Sequence, residues 1–355
     1  MDASRLDDRS FLKAHDPGGM WEMAEGFAGQ CREARDLALA ADLPHEKATP
    51  PNVVLAGMGG SAAGGDFVRA LFDDRAEMPF QVCRDYVLPN WVSRDTLFFA
   101  ASYSGNTEET LASYRIARER GARIVCITSG GKLAEWASAD GYPIVRIPGG
   151  LPPRMALGYL LVPTLVACEN LSLLAPLDWE AILGALGRIA KEHGPGTALA
   201  SNPSKQLAVA LHNRIPVLYG LGGWQGLVAS RWKGQINENA KRMCFWHAQP
   251  ELCHNELMGW EGAEHQTDRW STVVLHDGDE SAKMRTRAEM VDKMTQDKAE
   301  QHWVKAPDGP LEAKIIGLTF LGDWVSLYMA ALNEVDPMSI DSINVMKAEL
   351  AKIPD

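Results

Sequence analysis

The sequence predicts an α/β protein of two αβα sandwich domains with parallel sheets, plus an N-terminal helical segment and a C-terminal helix. Three observations carry this expectation. Short apolar runs of about five residues alternate with stretches of helical periodicity, the pattern of parallel strands covered by helices on both faces. The alternation occurs twice, broken between positions 174 and 202. The chain has 355 residues, and domains of roughly 100–200 residues make two the default expectation.

Taken in order, residues 1–48 read as amphipathic helix, ending at an Ala-Thr-Pro-Pro breaker before Asn52. Strands follow at 52–56, 80–84, 97–101, 123–128 and 143–147, each a short apolar run. Between them lie a helix over 63–72 and one over 107–120, the second closed by Gly121. The nearly apolar stretch 155–168 is shorter than the roughly 20 residues of a membrane span and reads as a buried helix. An amphipathic helix over 179–193 and a His-Gly-Pro-Gly-Thr loop at 193–197 mark the linker. The second βα set runs through strand 215–219, helix 225–242, strand 271–276, helix 281–292 and a long helix over 311–333. Pro337 precedes a last short helix ending near Lys352. The expected divisions are a helical segment 1–48, a first domain 49–174, a linker 175–204, a second domain 205–335 and a C-terminal helix 336–355. Each half opens with a strand and a Gly-rich turn, at 57–60 and 220–223, without residue-level repetition.

Composition narrows the class. Hydrophobic residues at 46% and charged residues at 23% exclude a disordered or fibrous chain. A net charge of -11 argues against nucleic acid as a partner, since phosphate contacts need clustered Lys and Arg. One pocket can still invert the local field for a small anion. The N-terminus lacks a basic stretch followed by an apolar one, so no signal peptide is expected. The six cysteines are scattered without a Cys-x-x-Cys pair, which points to a reduced cytoplasmic protein with buried thiols rather than a disulfide scaffold or a zinc site. No metal, no nucleotide cofactor and no membrane partner is expected.

Two motifs carry chemistry. Gly57-Met58-Gly59-Gly60-Ser61-Ala62 joins a strand to a helix, where glycines let backbone N–H groups approach an anion. It reads either as a dinucleotide fingerprint with Asp85 on the ribose, or as a tight turn needing glycine for geometry alone. The spacing to Asp85 exceeds the roughly 20 residues of the fingerprint, and Ser61 is unusual there. The second motif, Ser102-Tyr103-Ser104-Gly105-Asn106-Thr107-Glu108-Glu109-Thr110, also follows a strand and opens a helix. Thr107 suits the N-cap, and Glu108 and Glu109 complement the helix dipole. Ser102, Ser104 and Thr107 place three hydroxyls at the helix entrance, and Ser61 adds another at the end of a neighbouring strand. Such strand ends face the crevice where open α/β sheets bind ligands. Hydroxyls and backbone N–H without a lysine suit a phosphomonoester, and no P-loop sequence occurs.

With these motifs the sequence resembles the sugar isomerase (SIS) domain superfamily, and more narrowly the bifunctional phosphoglucose/phosphomannose isomerase family. The narrower resemblance rests on Leu151-Pro152-Pro153-Arg154, Asn237-Glu238-Asn239-Ala240-Lys241 and Pro250-Glu251-Leu252-Cys253-His254-Asn255-Glu256, and covers about 52–350. It implies two SIS domains and metal-independent, reversible aldose–ketose isomerisation of glucose 6-phosphate and mannose 6-phosphate to fructose 6-phosphate through a cis-enediol. It implies phosphate binding by Gly60, Ser61, Ser102, Ser104 and Thr107, and stabilisation of a developing enediolate by Arg154. It makes Glu238 the base that moves the proton, and gives ring opening to His254 with Lys347. It implies a homodimer with shared active sites, the histidine entering from the neighbouring subunit. The chain departs from the family where Cys253 replaces an expected Asn, and where Cys244-Phe245-Trp246-His247 is bulkier than usual. Two other classes compete. A non-catalytic phosphosugar sensor would need the phosphate loops without Glu238, His254 and Lys347 as a set. A nicotinamide-dependent oxidoreductase sits poorly with the hydroxyl-rich second loop.

Overall fold

A computed structural model of the chain describes residues 2–43, 49–263, 266–350 and 352–353. The end of the expected N-terminal helical segment, 44–48, lies outside the described residues. The chain forms two compact units, one made of Met1–Ala24, Ile189–Lys305 and Leu318–Asp355, the other of Glu25–Arg188 and Ala306–Gly317. Three helices open the chain: α1 (Arg9–Ala14), α2 (Met20–Glu25) and α3 (Phe27–Ala40).

The unit built on 25–188 carries a five-stranded sheet of β1 (Val53–Ala56), β2 (Phe80–Cys83), β3 (Leu97–Ala101), β4 (Arg123–Thr128) and β5 (Ile144–Arg146), all parallel, in the order β2-β1-β3-β4-β5. Helices α4 (Gly59–Arg75), α5 (Glu108–Glu119), α6 (Gly131–Asp140) and α7 (Leu157–Asn170) complete it. β1 and β3 are buried along their whole length, which is why both read as unbroken apolar runs. One face of the sheet packs Val54, Phe98 and Ile124 against Tyr114 of α5 and Leu133 and Ala137 of α6. α7 is buried from Leu157 to Cys168, and α3 is tied to it where Gln30 accepts from the Gly158 N–H at 2.7 Å. α4 begins at Gly59, so the Gly-rich stretch expected to be a turn is mostly the first turn of this helix.

α8 (Trp179–His193) divides between the units after Arg188, and the other unit continues through α9 (Pro203–Leu211), β6 (Ile215–Leu221), α10 (Gly223–Ala240), β7 (Phe245–Gln249), α11 (Glu256–Glu261), β8 (Trp270–His276), α12 (Ala282–Thr295), β9 (Glu300–Lys305), α13 (Leu311–Leu332), whose residues from Leu318 on belong to it, and α14 (Asp341–Leu350). Its parallel sheet has the order β7-β6-β8-β9, the arrangement of the first sheet without a fifth strand. β7 and β9 stand at its edges and were not expected from the sequence. Their residues, exposed or half-buried except for the buried Gln249, lack the apolar run that marks a doubly covered strand. The N-terminal segment joins this unit through Asp7, whose carboxylate accepts from the buried Lys205 ammonium at 2.8 Å, and through Trp21, which packs on Tyr328 at 4.9 Å.

α13 is longer than the expected 155–168 helix. By length and composition it is the one described helix that could cross a membrane, yet its most apolar window is wholly buried in the fold. All six cysteines are free thiols; burial pushes Cys31 and Cys126 up to about 12 and leaves them inert.

Candidate active site

The strand order of the first sheet places its topological switch point between β1 and β3, because the chain leaves β1 toward one edge and β3 toward the other. Ligands of open α/β sheets bind at the carboxyl ends of the strands there. Both hydroxyl-bearing segments occupy this position: 57–61 follows β1 and 102–107 follows β3. They adjoin, since a Cβ placed on Gly57 would stand 3.0 Å from both the Ala101 carbonyl oxygen and the Ser61 side chain.

In the second segment, Ser102 Oγ and Thr107 Oγ1 share a hydrogen bond at 2.8 Å. Thr107 holds the N-cap position of α5 in extended backbone, but its hydroxyl caps nothing. Met58, the N-cap residue of α4, likewise supplies no side-chain cap. Two adjacent helix N-termini thus present amides without side-chain caps, the arrangement that attracts an anion. Ser104 is exposed, and its Oγ accepts from the Asn106 N–H at 3.2 Å.

Arg154 lies in a short 3-10 turn, Pro153–Met155, that leads into α7. Gly60 brings the start of α4 against this turn: a Cβ there would meet the Pro153 carbonyl oxygen at 2.6 Å. Arg154 itself is buried. Two residues that sequence reasoning missed build this corner. Tyr103 OH accepts from the Leu151 N–H at 3.0 Å, tying the second hydroxyl segment to the chain before Arg154, and burial raises its pKa. Gln30 on α3 donates to the Met155 carbonyl at 2.8 Å while accepting from Gly158, and so clamps the entry to α7. The Ser-Tyr-Ser spacing singled out Tyr103 only as a neighbour of two serines. Gln30 gave no signal, because its partners lie 125 and 128 residues away.

Glu238, His254 and Lys347 sit on three separate elements of the other unit. Glu238 is half-buried in the last turn of α10. Its flanking asparagines are poor helix formers with bonds of their own: Asn237 donates to the Arg242 carbonyl at 2.6 Å, and the buried Asn239 to Ser326 Oγ at 2.9 Å. Lys241 donates to the carbonyls of Glu238 and Asp336, both at 2.7 Å, and Asn333 to that of Ala240 at 2.9 Å. The end of the helix that holds Glu238 is therefore pinned on several sides.

His254 is exposed at the end of a 3-10 turn, Glu251–His254. The next helix anchors that turn: the Tyr219 hydroxyl from β6 donates to Glu256, and Trp260 donates to the same hydroxyl at 2.9 Å. This assigns Glu256 to structure. Among the described residues, no group of three or more His, Cys, Asp and Glu side chains is placed to hold a metal ion. Lys347 is exposed on α14, which buries none of its residues within the chain.

A parallel sheet with hydroxyl segments at its switch point, followed by a second sheet of the same strand order, defines a protein of two SIS domains. Residues 48–139 match the SIS domain, and residues 200–350 match the bacterial phospho-glucose isomerase C-terminal SIS domain. The chain belongs to the bifunctional phosphoglucose/phosphomannose isomerase family. It is 36% identical over 339 residues to the bifunctional phosphoglucose/phosphomannose isomerase of Caldicellulosiruptor bescii, covering 95% of this chain and 100% of that one. It is 34% identical over 335 residues to the Aquifex aeolicus protein of the same name, covering 94% and 98%. In fold it is similar to a hypothetical protein of Thermus thermophilus, with a TM-score of 0.77 at 17% identity over 99% of this chain and 94% of the other.

Proposed function

We propose that this chain interconverts glucose 6-phosphate and mannose 6-phosphate with fructose 6-phosphate. The observation that carries the reading is the likeness to the Caldicellulosiruptor bescii isomerase, which runs through 95% of the chain and takes in both sheets. The phosphate is held by Gly60, Ser61, Ser102, Ser104 and Thr107 at the switch point. His254 and Lys347 open the sugar ring by delivering a proton to the ring oxygen, a task suited to imidazole near neutrality. Glu238 takes the proton from C2 of the open aldose and returns it to C1. Arg154 stabilises the negative charge that builds on the enediolate oxygen. The two aldoses differ only at C2, and the planar cis-enediolate erases that difference, so one base serves both. Each proton moves between side chain and sugar, so the reaction needs no metal or nucleotide.

We further propose a cytoplasmic homodimer that shares its active sites. Helix α14 supports this: Ile343, Met346 and Leu350 recur at i, i+3 and i+7, and all three are exposed within the chain. A second exposed group, Met243, Phe245, Trp246 and Met258, flanks the turn that ends at His254. Coupled assays with each 6-phosphosugar in the presence of chelator test the reading. Turnover of both aldoses is expected. Activity lost in chelator and restored by a divalent ion overturns the metal-free mechanism, and turnover of neither sugar overturns the reaction.

A further inference from the structure

α10 buries polar side chains beside the apolar Val228, Trp232 and Ile236. Arg231, Gln235 and Glu238 recur at i, i+4 and i+7 and form one stripe, with Asn239 beside it. α13 opposes this stripe with Asp323 and Ser326, one turn apart. Gln235 Nε2 donates to Asp323 Oδ1, Arg231 Nη2 stands 3.8 Å from the same oxygen, Asn239 donates to Ser326 Oγ at 2.9 Å, and Ser326 Oγ donates to the Asp323 carbonyl at 2.8 Å. All five residues are buried. The helices are close here: a Cβ on Gly322 would lie 2.3 Å from Trp232 Nε1, and Trp232 donates to the Leu318 carbonyl at 2.8 Å.

We propose that Asp323 is a positioning residue for isomerisation: through Gln235 and Arg231 it fixes the rotation and register of α10, and with them the place of the Glu238 carboxylate. The inference rests on the reading of Glu238 as the base. Stability alone does not explain this cluster. A buried ion pair is generally no more stabilising than a well-packed apolar pair of similar volume. Gln235 Oε1 is, in addition, buried without a hydrogen-bond partner among the described residues, which is costly. What such a cluster supplies that leucines would not is a single register. A shift of about 1 Å at a catalytic group can cost about 100-fold in rate.

Burial raises the Asp323 carboxyl to about 6, opposed by Arg231 and by the hydrogen bond from Gln235. The charged group facing it is Arg231 from α10; α2 meets this part of α13 through Trp21 on Trp324 and brings no charge to bear. The carboxylate is therefore ionised above about pH 6, and its hold on Arg231 and Gln235 weakens as pH falls through that value.

The test compares three variants of the full-length protein by thermal melting and steady-state kinetics. The double variant Arg231→Met with Asp323→Leu replaces the ion pair by an apolar one. It should melt within a few degrees of the parent, yet isomerise at least about tenfold slower at unchanged KM, since a lost register acts on the transition state. Recovery of kcat together with stability would show that Asp323 merely neutralises Arg231, and would sink the proposal. Asp323→Asn keeps the shape and an acceptor for Gln235 but cannot ionise, so its kcat profile should lose the ionisation near pH 6. This variant decides the matter if the double variant fails to fold, and an unchanged acid limb with parental kcat refutes the proposal. Glu238→Gln separates the two readings. If it is inactive while both Asp323 variants turn over at the parental rate, only the positioning role fails; if it isomerises normally, the base has been misassigned.

Discussion

Gly105→Ala isolates the geometry on which the Ser102–Thr107 segment depends. Gly105 has φ +69°, and a Cβ there would lie 1.8 Å from the Gly130 carbonyl oxygen and 2.7 Å from its carbon. That carbonyl is held, since it accepts from Thr128 Oγ1 at 2.9 Å, and the Gly105 carbonyl in turn accepts from the Leu133 N–H at 2.9 Å. Left-handed backbone costs an L-residue about 1–2 kcal/mol, and overpacking adds about 1–3 kcal/mol. The sum, about 2–5 kcal/mol, corresponds to a fall in Tm of about 4–20 °C at about 2–4 °C per kcal/mol for a domain of this size. Gly121→Ala is the control. Its φ of +71° is nearly the same, but the nearest atom to its Cβ, Arg94 Cβ, is 3.7 Å away, so it carries the backbone strain without the collision. It should lose only about 2–8 °C on the same scale and keep parental kinetics. In Gly105→Ala the displaced Ser102–Thr107 segment should also raise KM for both 6-phosphosugars. One hydrogen bond to a charged group is worth about 1.5–3 kcal/mol, or about 10–100-fold in affinity. Circular-dichroism melts and coupled-assay KM values measure both effects. Equal Tm losses in the two variants, with KM unchanged in each, would refute the claim that Gly130 backs the Ser102–Thr107 segment rigidly.

Three further outcomes follow from the same geometry. Glu238→Gln should lower kcat for both aldoses by about 10²–10⁴-fold with little change in KM; C2 proton exchange with solvent at the parental rate would show that another group is the base. Mixed, subunit-exchanged Glu238→Gln and His254→Ala chains should regain part of the activity if sites are shared, and demonstrated exchange without recovery would place each site within one chain. Asp7 is held below the usual carboxylate range, first by its hydrogen bond from Lys205. Its folded value is depressed, so the stability it contributes is present above the unfolded value and lost as pH falls through the folded one. Asp7→Asn should therefore melt below the parent at neutral pH, and the gap should close in acid; a gap independent of pH would discount the ion pair.

The contrast between the two sheets shows why some strands were legible and others were not. β1, β3, β4, β6 and β8 have neighbours on both sides and helices on both faces, so their composition alone exposes them. β2 and β5 are edges but keep apolar residues, and the sequence located them too. β7 and β9 are edges with half-exposed aromatic and polar residues, and only their pairing with β6 and β8 makes them strands. The Gly-rich and hydroxyl-rich segments were legible because turn and anion chemistry is local: glycine, serine and threonine act on neighbouring amides. The exception within them is Thr107, read as a helix cap from its position, whose hydroxyl instead bonds Ser102.

Local pattern thus determined the α/β class, the two hydroxyl segments and the residue types that suit proton transfer, because periodicity and turn chemistry act over a few residues. Tertiary structure alone decided which distant groups hold those residues in place. Gln30 clamps the entry to α7, Tyr219 and Trp260 fix Glu256 behind His254, and Asp323 meets Gln235 across 88 positions of chain. It also decided that 1–24 folds with the unit built on 189–305 while α3 joins the other. A buried polar group is satisfied by whatever donor or acceptor the fold brings within about 3 Å, and nothing in the residues on either side of it records which one that is.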